Sequence, residues 1–358
     1  MPRVLSTSEG THRGAFAPID WAAFGAIGAI WGSSFLLIAI GLNAFEPGVV
    51  TWLRVAAGAA TLWCFPAARA ATIASEDRPR LFAMSVLWVA IPFTLFPLAE
   101  QHVSSAIAGM INGGLPILAA IVGSLMLRRA PSPAHVAGLA VGAAGVAAIA
   151  ISAAGGGRGE AIGVAMLLAA VACYSIAINI AAPIQQRYGS LPVMARMLTL
   201  AAILTAPFGI ASIPASRLEA GSLFAVLVLG AIGTGVAFSL MGRLVARVGS
   251  TRASFATYLI PVVALVLGVV VRGESVGGVA IVGIVAVIGG AVLASRPDAG
   301  ARGPAGDGIV DVEPSPADDR PAGASQPSPA LDVVASHPSP ALDAVASQTA
   351  GVSDVGTG

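Results

Sequence analysis

AIWGSSFLLIAIGL, residues 29–42, is the stretch on which the reading of this chain turns. It closes an apolar run that begins at Trp21, long enough to cross a bilayer core about 30 Å thick, which takes about 20 helical residues. Near its middle stand an indole, Trp31, and two hydroxyls, Ser33 and Ser34. Polar groups at that depth are costly against lipid and are placed toward another helix or a cavity. The stretch therefore predicts a membrane helix with one face turned inward. Ser33 and Ser34 lie about 100° apart, so one can face a central cavity while the other bonds a carbonyl a turn earlier. Gly28 and Gly32 also allow close helix packing.

The rest of the chain has the same character. It is 56% hydrophobic and 10% charged, with a mean hydropathy of +0.86, outside the range of soluble domains. Punctuation by Arg, Glu, Pro and Gly predicts ten spans: 21–42, 48–68, 81–99, 103–127, 133–153, 161–183, 191–213, 221–242, 253–271 and 275–295. The first is too long and too polar at its centre for a cleaved signal segment. Cys64 and Cys173 fall within predicted helices and are read as small apolar fillers. The chain has no lysine, so orientation rests on arginine. With the N-terminus inside, thirteen arginines from Arg3 to Arg302 lie in inner segments, and only Arg158, Arg217 and Arg272 lie outside. By the positive-inside rule both termini are cytoplasmic.

Past residue 295 the chain becomes rich in Pro, Ala, Ser, Gly and Asp. SQPSPALDVVA at 325 recurs as SHPSPALDAVA at 336. Such composition buries too little surface to fold, so 296–358 is expected to be a disordered cytoplasmic tail. A second repeat matters more. A shift of 145 sets Pro47 on Pro192, Pro116 on Pro261, Ala119 on Ala264, Gly123 on Gly268, Gly138 on Gly283 and Gly145 on Gly290. Five spans precede the junction and five follow. An odd number per repeat inverts the second copy, a device that places a solute site at the interface of the halves. The expected fold is an all-α polytopic membrane protein: a cytoplasmic segment 1–20, a five-helix repeat 21–153, an outer linker 154–160, a second, inverted five-helix repeat 161–295, and the tail.

The motifs WGSSF, EPGVVTWLR, AEQHVSSAIAGMINGGLPILAAIVG and YLIPVVALVLGVVVRGE, in that order over residues 21–296, resemble the EamA type of the drug/metabolite transporter superfamily. The resemblance implies ten helices in two repeats and a secondary transporter of a small metabolite or amphipathic solute, most often an exporter. Family members commonly carry a Glu after the fourth helix of each half. Glu274 fills the second slot, whereas the first holds Arg129. Related four-helix pumps exchange protons on a carboxylate in helix 1, and no acid occurs between Trp21 and Leu42.

Candidate solute contacts are Trp31, Ser33, Ser34, Asn112, Tyr174, Asn179, Thr257 and Tyr258, on the first, fourth, sixth and ninth helices. Asn112 and Asn179 are equally suited to bonding between helices. Arg54 and Arg196 are the arginines inside spans, read either as snorkelling to the interface or as a carboxylate anchor or electrostatic latch. Glu100 and His102 stand at an outer turn and, with Glu274, are gating candidates. Pro116 and Pro261 each remove a helical hydrogen bond and so mark hinges. No metal-ligand spacing, phosphate loop or nucleophilic triad is present, so no cofactor, metal or nucleic acid is expected. The partners are the bilayer and a small organic solute. No pattern names a coupling ion, and a homodimer is left open. A membrane-embedded enzyme and a non-transporting scaffold or receptor are the alternatives of other classes.

Overall fold

A computed structural model describes residues 17–127, 133–155 and 157–294. The tail, most of the N-terminal segment and the Arg129 slot lie outside the described residues. Among the described residues there is no strand. The helical segments are α1 (Pro18–Gly41), α2 (Pro47–Trp63), α3 (Ser75–Ala99), α4 (Ser105–Met126), α5 (Val136–Ala154), α6 (Arg158–Tyr188), α7 (Ser190–Ala215), α8 (Ala220–Val248), α9 (Arg252–Arg272) and α10 (Gly278–Ala294). Eight are long and apolar enough to cross a membrane. The others, α2 and α10, have 17 residues each. Large apolar side chains such as Ile203, Phe224, Val270 and Val282 stand exposed on the outer faces, as lipid contact requires and water does not favour.

The helix starts follow from local chemistry. Pro18 and Pro47 sit in the first turns of α1 and α2, where a missing N–H costs nothing. The Ser104 hydroxyl caps α4 by accepting from the Ile107 N–H at 3.3 Å. Where α2 ends differs from the expected span: it stops at Trp63, and a short 3-10 turn starting at Pro66 follows. Cys64 is therefore exposed at the helix end instead of buried within it. At the other extreme, α9 ends in Gly273 at φ 65°, a left-handed closure for which glycine is suited.

Small residues let helices from the two halves meet backbone to backbone. A Cβ on Gly145 would stand 2.5 Å from the Gly283 carbonyl oxygen, and Gly138 and Gly290 abut each other's helices in the same way, so α5 and α10 are tightly apposed. Gly28 and Gly32 of α1 face Leu259 and Val263 of α9. Gly109 faces Ala264, and a Cβ on Gly113 would stand 3.0 Å from the Pro261 ring.

Helices α3, α4, α8 and α9 are interrupted. The chain forms π turns at Ser85–Ala90 in α3 and Ala231–Val236 in α8. The first lies just before Pro92, and the second runs through Gly233 and Gly235. In α4 the α-helix breaks between Asn112 and Leu115, and α9 begins with a 3-10 turn at Phe255–Tyr258. Each break lies just upstream of Pro116 or Pro261, where the proline ring leaves carbonyls without helical partners.

Candidate functional site

A cavity of about 320 Å³ opens among the helices of both halves. Its walls are apolar and largely aromatic. At its deep end Phe35, Phe93, Phe96 and Tyr174 interlock: Phe35 meets Phe96 edge-on at 5.5 Å, and Phe96 meets Tyr174 at 5.8 Å. A second cluster forms a side wall, where Phe238 takes Trp31 at 5.8 Å and Trp88 at 6.2 Å, both edge-on. From there the cavity extends past Met194 and Met241 to Ser190 and Ser254, close to the α6–α7 and α8–α9 junctions.

Among the described residues, one cation lines this apolar space. Arg54 is 6% exposed, and its guanidinium lies 3.8 Å above the Phe93 ring. Its Nε donates to the Thr234 hydroxyl at 3.3 Å, and Thr234 is held inside the α8 π turn by donating to the Leu229 carbonyl. No carboxylate stands within ion-pair distance of Arg54 among the described residues. A desolvated guanidinium over an aromatic face gains about 2 kcal/mol, which orients the group without neutralising it. The Asn112 side chain also lines the cavity, and its buried Oδ1 accepts no hydrogen bond from the protein. Together these supply a charge for an anion and an acceptor for an N–H or O–H.

The predicted contacts divide. Trp31, Ser34, Asn112, Tyr174 and Thr257 line the cavity, and Arg54 joins them. Ser33, Asn179 and Tyr258 do not. Ser33 and Ser34 both donate to the Ile30 carbonyl, at 2.9 and 3.2 Å, while the glycines beside them pack on α9, so α1 serves cavity and packing at once. Asn179 donates to the Ala119 carbonyl at 3.0 Å and sits over Gly123, joining α6 to α4. Tyr258 donates to the Ala291 carbonyl of α10 at 3.5 Å. Arg196 bonds the Ala68 and Pro192 carbonyls, each at 3.0 Å, and lies over Trp63, away from the cavity. Trp88, Phe93, Phe96, Phe238 and Gln185 also line the cavity. The spacing of Phe93 and Phe96, three residues apart on one helix face, is the signal that points to two of them.

The gating candidates meet at one end of the molecule. Glu274 reaches across from the second half to the start of α4. Its Oε1 accepts from the Ser105 N–H at 3.1 Å and the Ser105 hydroxyl at 2.7 Å, and its Oε2 accepts from the Ala106 N–H at 2.9 Å. Arg272 Nε adds a contact at 3.7 Å. A carboxylate on a helix N-terminus is well placed. Glu100 is the opposite case. It caps the C-terminus of α3, and both its carboxyl oxygens are buried without a hydrogen-bond partner. Burial pushes this carboxyl well above the ordinary carboxylate range, the Glu274 charge adds to the shift, and Arg54 and Arg272 oppose it. His102 is exposed on the same turn, beside Gly159 and Gly163 of α6.

Comparison with known proteins fits this arrangement. Residues 20–151 match the EamA-like transporter family, and residues 161–296 match it again. The chain belongs to the EamA-like transporter family. This protein is thus a multi-pass membrane protein built on two copies of one family domain. Among its relatives, a protein of Archaeoglobus fulgidus named "Uncharacterized transporter" is 22% identical over 71% of this chain and 90% of its own. A protein of Streptantibioticus cattleyicolor named "Probable terminal-alkyne amino-acid exporter" is 26% identical over 76% of this chain and 92% of its own. A solved crystal structure covering 78% of this chain and 97% of its own matches at a TM-score of 0.57 and 20% identity, a likeness of fold alone.

Proposed function

We propose that this protein is a secondary transporter that carries a small amphipathic carboxylate out across the cytoplasmic membrane by alternating access. The observation that carries this reading is Arg54, a buried cation without an ion-pair partner among the described residues, set in an aromatic cavity that both halves line. A carboxylate pairs well with a guanidinium in such low dielectric, and the aromatic walls suit an apolar body. An enzyme would need a convergent acid, base and nucleophile, and the family and relatives' names point to transport instead.

The reading includes ten crossings, with α2 and α10 spanning as well. At 17 residues each rises about 25 Å, a modest mismatch that local thinning absorbs. The two family matches, the paired prolines, and π turns at corresponding places in α3 and α8 all support inverted halves. The arginine bias puts the termini in the cytoplasm. On that assignment the cavity extends toward the cytoplasm, and the Glu100–Glu274 end is external. Outward transport rests on the family resemblance and on the exporter named among the relatives.

The test is counterflow in proteoliposomes loaded with radiolabelled apolar amino acids or with the matching decarboxylated amines. The acids should exchange and the amines should not. Arg54→Gln should lower exchange at least about tenfold, since losing one partner of a buried charge pair costs about 2–5 kcal/mol. Equal movement of amines, or normal exchange in Arg54→Gln, would overturn the reading.

A further inference from the structure

Two carboxyl groups stand at the same end of the molecule in opposed settings. Glu274 lies on the N-terminus of α4, with three donors on its oxygens. Glu100 lies on the C-terminus of α3, where the helix dipole is negative, and neither of its oxygens receives a donor. Its own backbone N–H is held by the Phe96 carbonyl at 2.9 Å, so the residue is fixed in place. An ionised carboxylate left buried without a partner costs several kcal/mol, and such a group takes a proton instead. Paired acids with divergent settings assign the two protonation roles.

We propose that Glu100 is a proton-binding site whose occupancy closes the Glu274 end of the transporter. The inference rests on the alternating-access reading above. When that end is open, water reaches Glu100 and the group ionises. On closing, one carboxyl oxygen forms an O–H bond with a proton taken from water at that end, and the charge goes from −1 to 0. On reopening the O–H bond breaks and the proton returns to the same water. The proton is therefore a gate and not the driving ion.

The charged and titratable groups around the site are limited. Arg272 at the end of α9, Glu274 in the connection after Gly273, and Arg54 on α2 act on it. His102 stands on its own turn, with Arg158 and Glu160 in the first turn of α6 behind His102. The sign follows directly. The closed form binds the extra proton, so its advantage is complete at and below the ordinary carboxylate range. The advantage is lost as pH rises through the elevated value of the closed form. Within that window one proton changes the closed-to-open ratio about tenfold per pH unit.

Full-length protein in lipid nanodiscs, with Cys64→Ala and Cys173→Ala, carries spin labels at Gln101→Cys and Ser275→Cys, both exposed at that end. The distance distribution is measured across pH. Infrared difference spectra against Glu100→Gln report the carbonyl band of a protonated acid. The expected result is a shift to longer distances as pH rises, at the pH where the band disappears. Glu100→Gln, which mimics the neutral acid, should hold the short distance throughout, and His102→Gln should leave the response unchanged. A Glu100 found ionised in the short-distance form, or an unaltered pH response in Glu100→Gln, would overturn the proposal. Neither readout needs a transported solute. Absence of flux with these results intact would sink the transport reading and spare the gate.

Discussion

Trp31 meets Phe238 edge-on while lining the cavity, so its indole is a wall and not a strut. Trp31→Ala is expected to lower transport about fivefold, a loss of about 1 kcal/mol of solute binding, with little change in melting temperature. Tyr258→Ala should affect transport less, since that ring stacks on Phe255 and bonds α10 outside the cavity. Flux assays beside thermal melts separate the two. The sequence makes Trp31, Ser34, Asn112 and Arg54 legible because each is polar at bilayer depth and has to turn inward. The same rule overreaches at Ser33, Asn179 and Arg196. A backbone carbonyl one turn away, or on the next helix, satisfies these groups as well as a solute does, and a linear pattern does not tell the two apart. Phe93, Phe96 and Phe238 fail to stand out for the converse reason. In a chain so apolar, an aromatic ring looks alike whether it faces lipid, core or cavity.

At the level of helices, the breaks in α4 and α9 give the paired prolines a physical role. Gly113 rests against Pro261, so the break in one half touches the proline of the other. If each is a hinge, Pro116→Ala and Pro261→Ala should slow transport more than they weaken binding and should shift accessibility in opposite directions. Labelling from each side at Ser34→Cys and Ser190→Cys, both at the cavity wall, is the check. Shifts of one sign in both variants would reduce the prolines to packing. The α5–α10 contact is of another kind, a fixed seam. Gly290→Leu would drive a side chain into the Gly138 and Gly142 backbone and should destabilise the protein by about 1–3 kcal/mol, read as a lower melting temperature in detergent. The apolar segments were legible from length and composition. The π turns were not, because an inserted residue in a helix leaves no periodicity in a stretch that is apolar all round.

For the molecule as a whole, the repeat could be read from prolines and glycines at one shift, since those residues fix backbone shape. The cross-links between halves could not. Arg247 on Asp20 at 2.6 Å, and Glu274 on Ser105, join positions more than 160 residues apart, and no local rule relates them. The unpaired guanidinium of Arg54 has one further consequence, which is electrical. On the proposed reading, with the Glu274 end closed and Glu100 neutral, the empty cavity carries a net positive charge, and a bound monoanionic carboxylate, unlike a zwitterionic amino acid, cancels it. An inside-negative membrane potential therefore acts on the empty form and not on the loaded one. It draws the empty form toward the cytoplasm-facing state by up to about 2.3 kcal/mol per 100 mV, less where the charge crosses only part of the field. If the protein exports a monoanionic carboxylate as proposed, export is expected to be faster in vesicles held negative on the side of the termini. A potassium diffusion potential of either sign, applied to the native protein and to Arg54→Gln, measures it: the native rate should follow the sign, and the variant's residual rate should not. The voltage that the cell maintains for other purposes would thus reset this carrier for its next load.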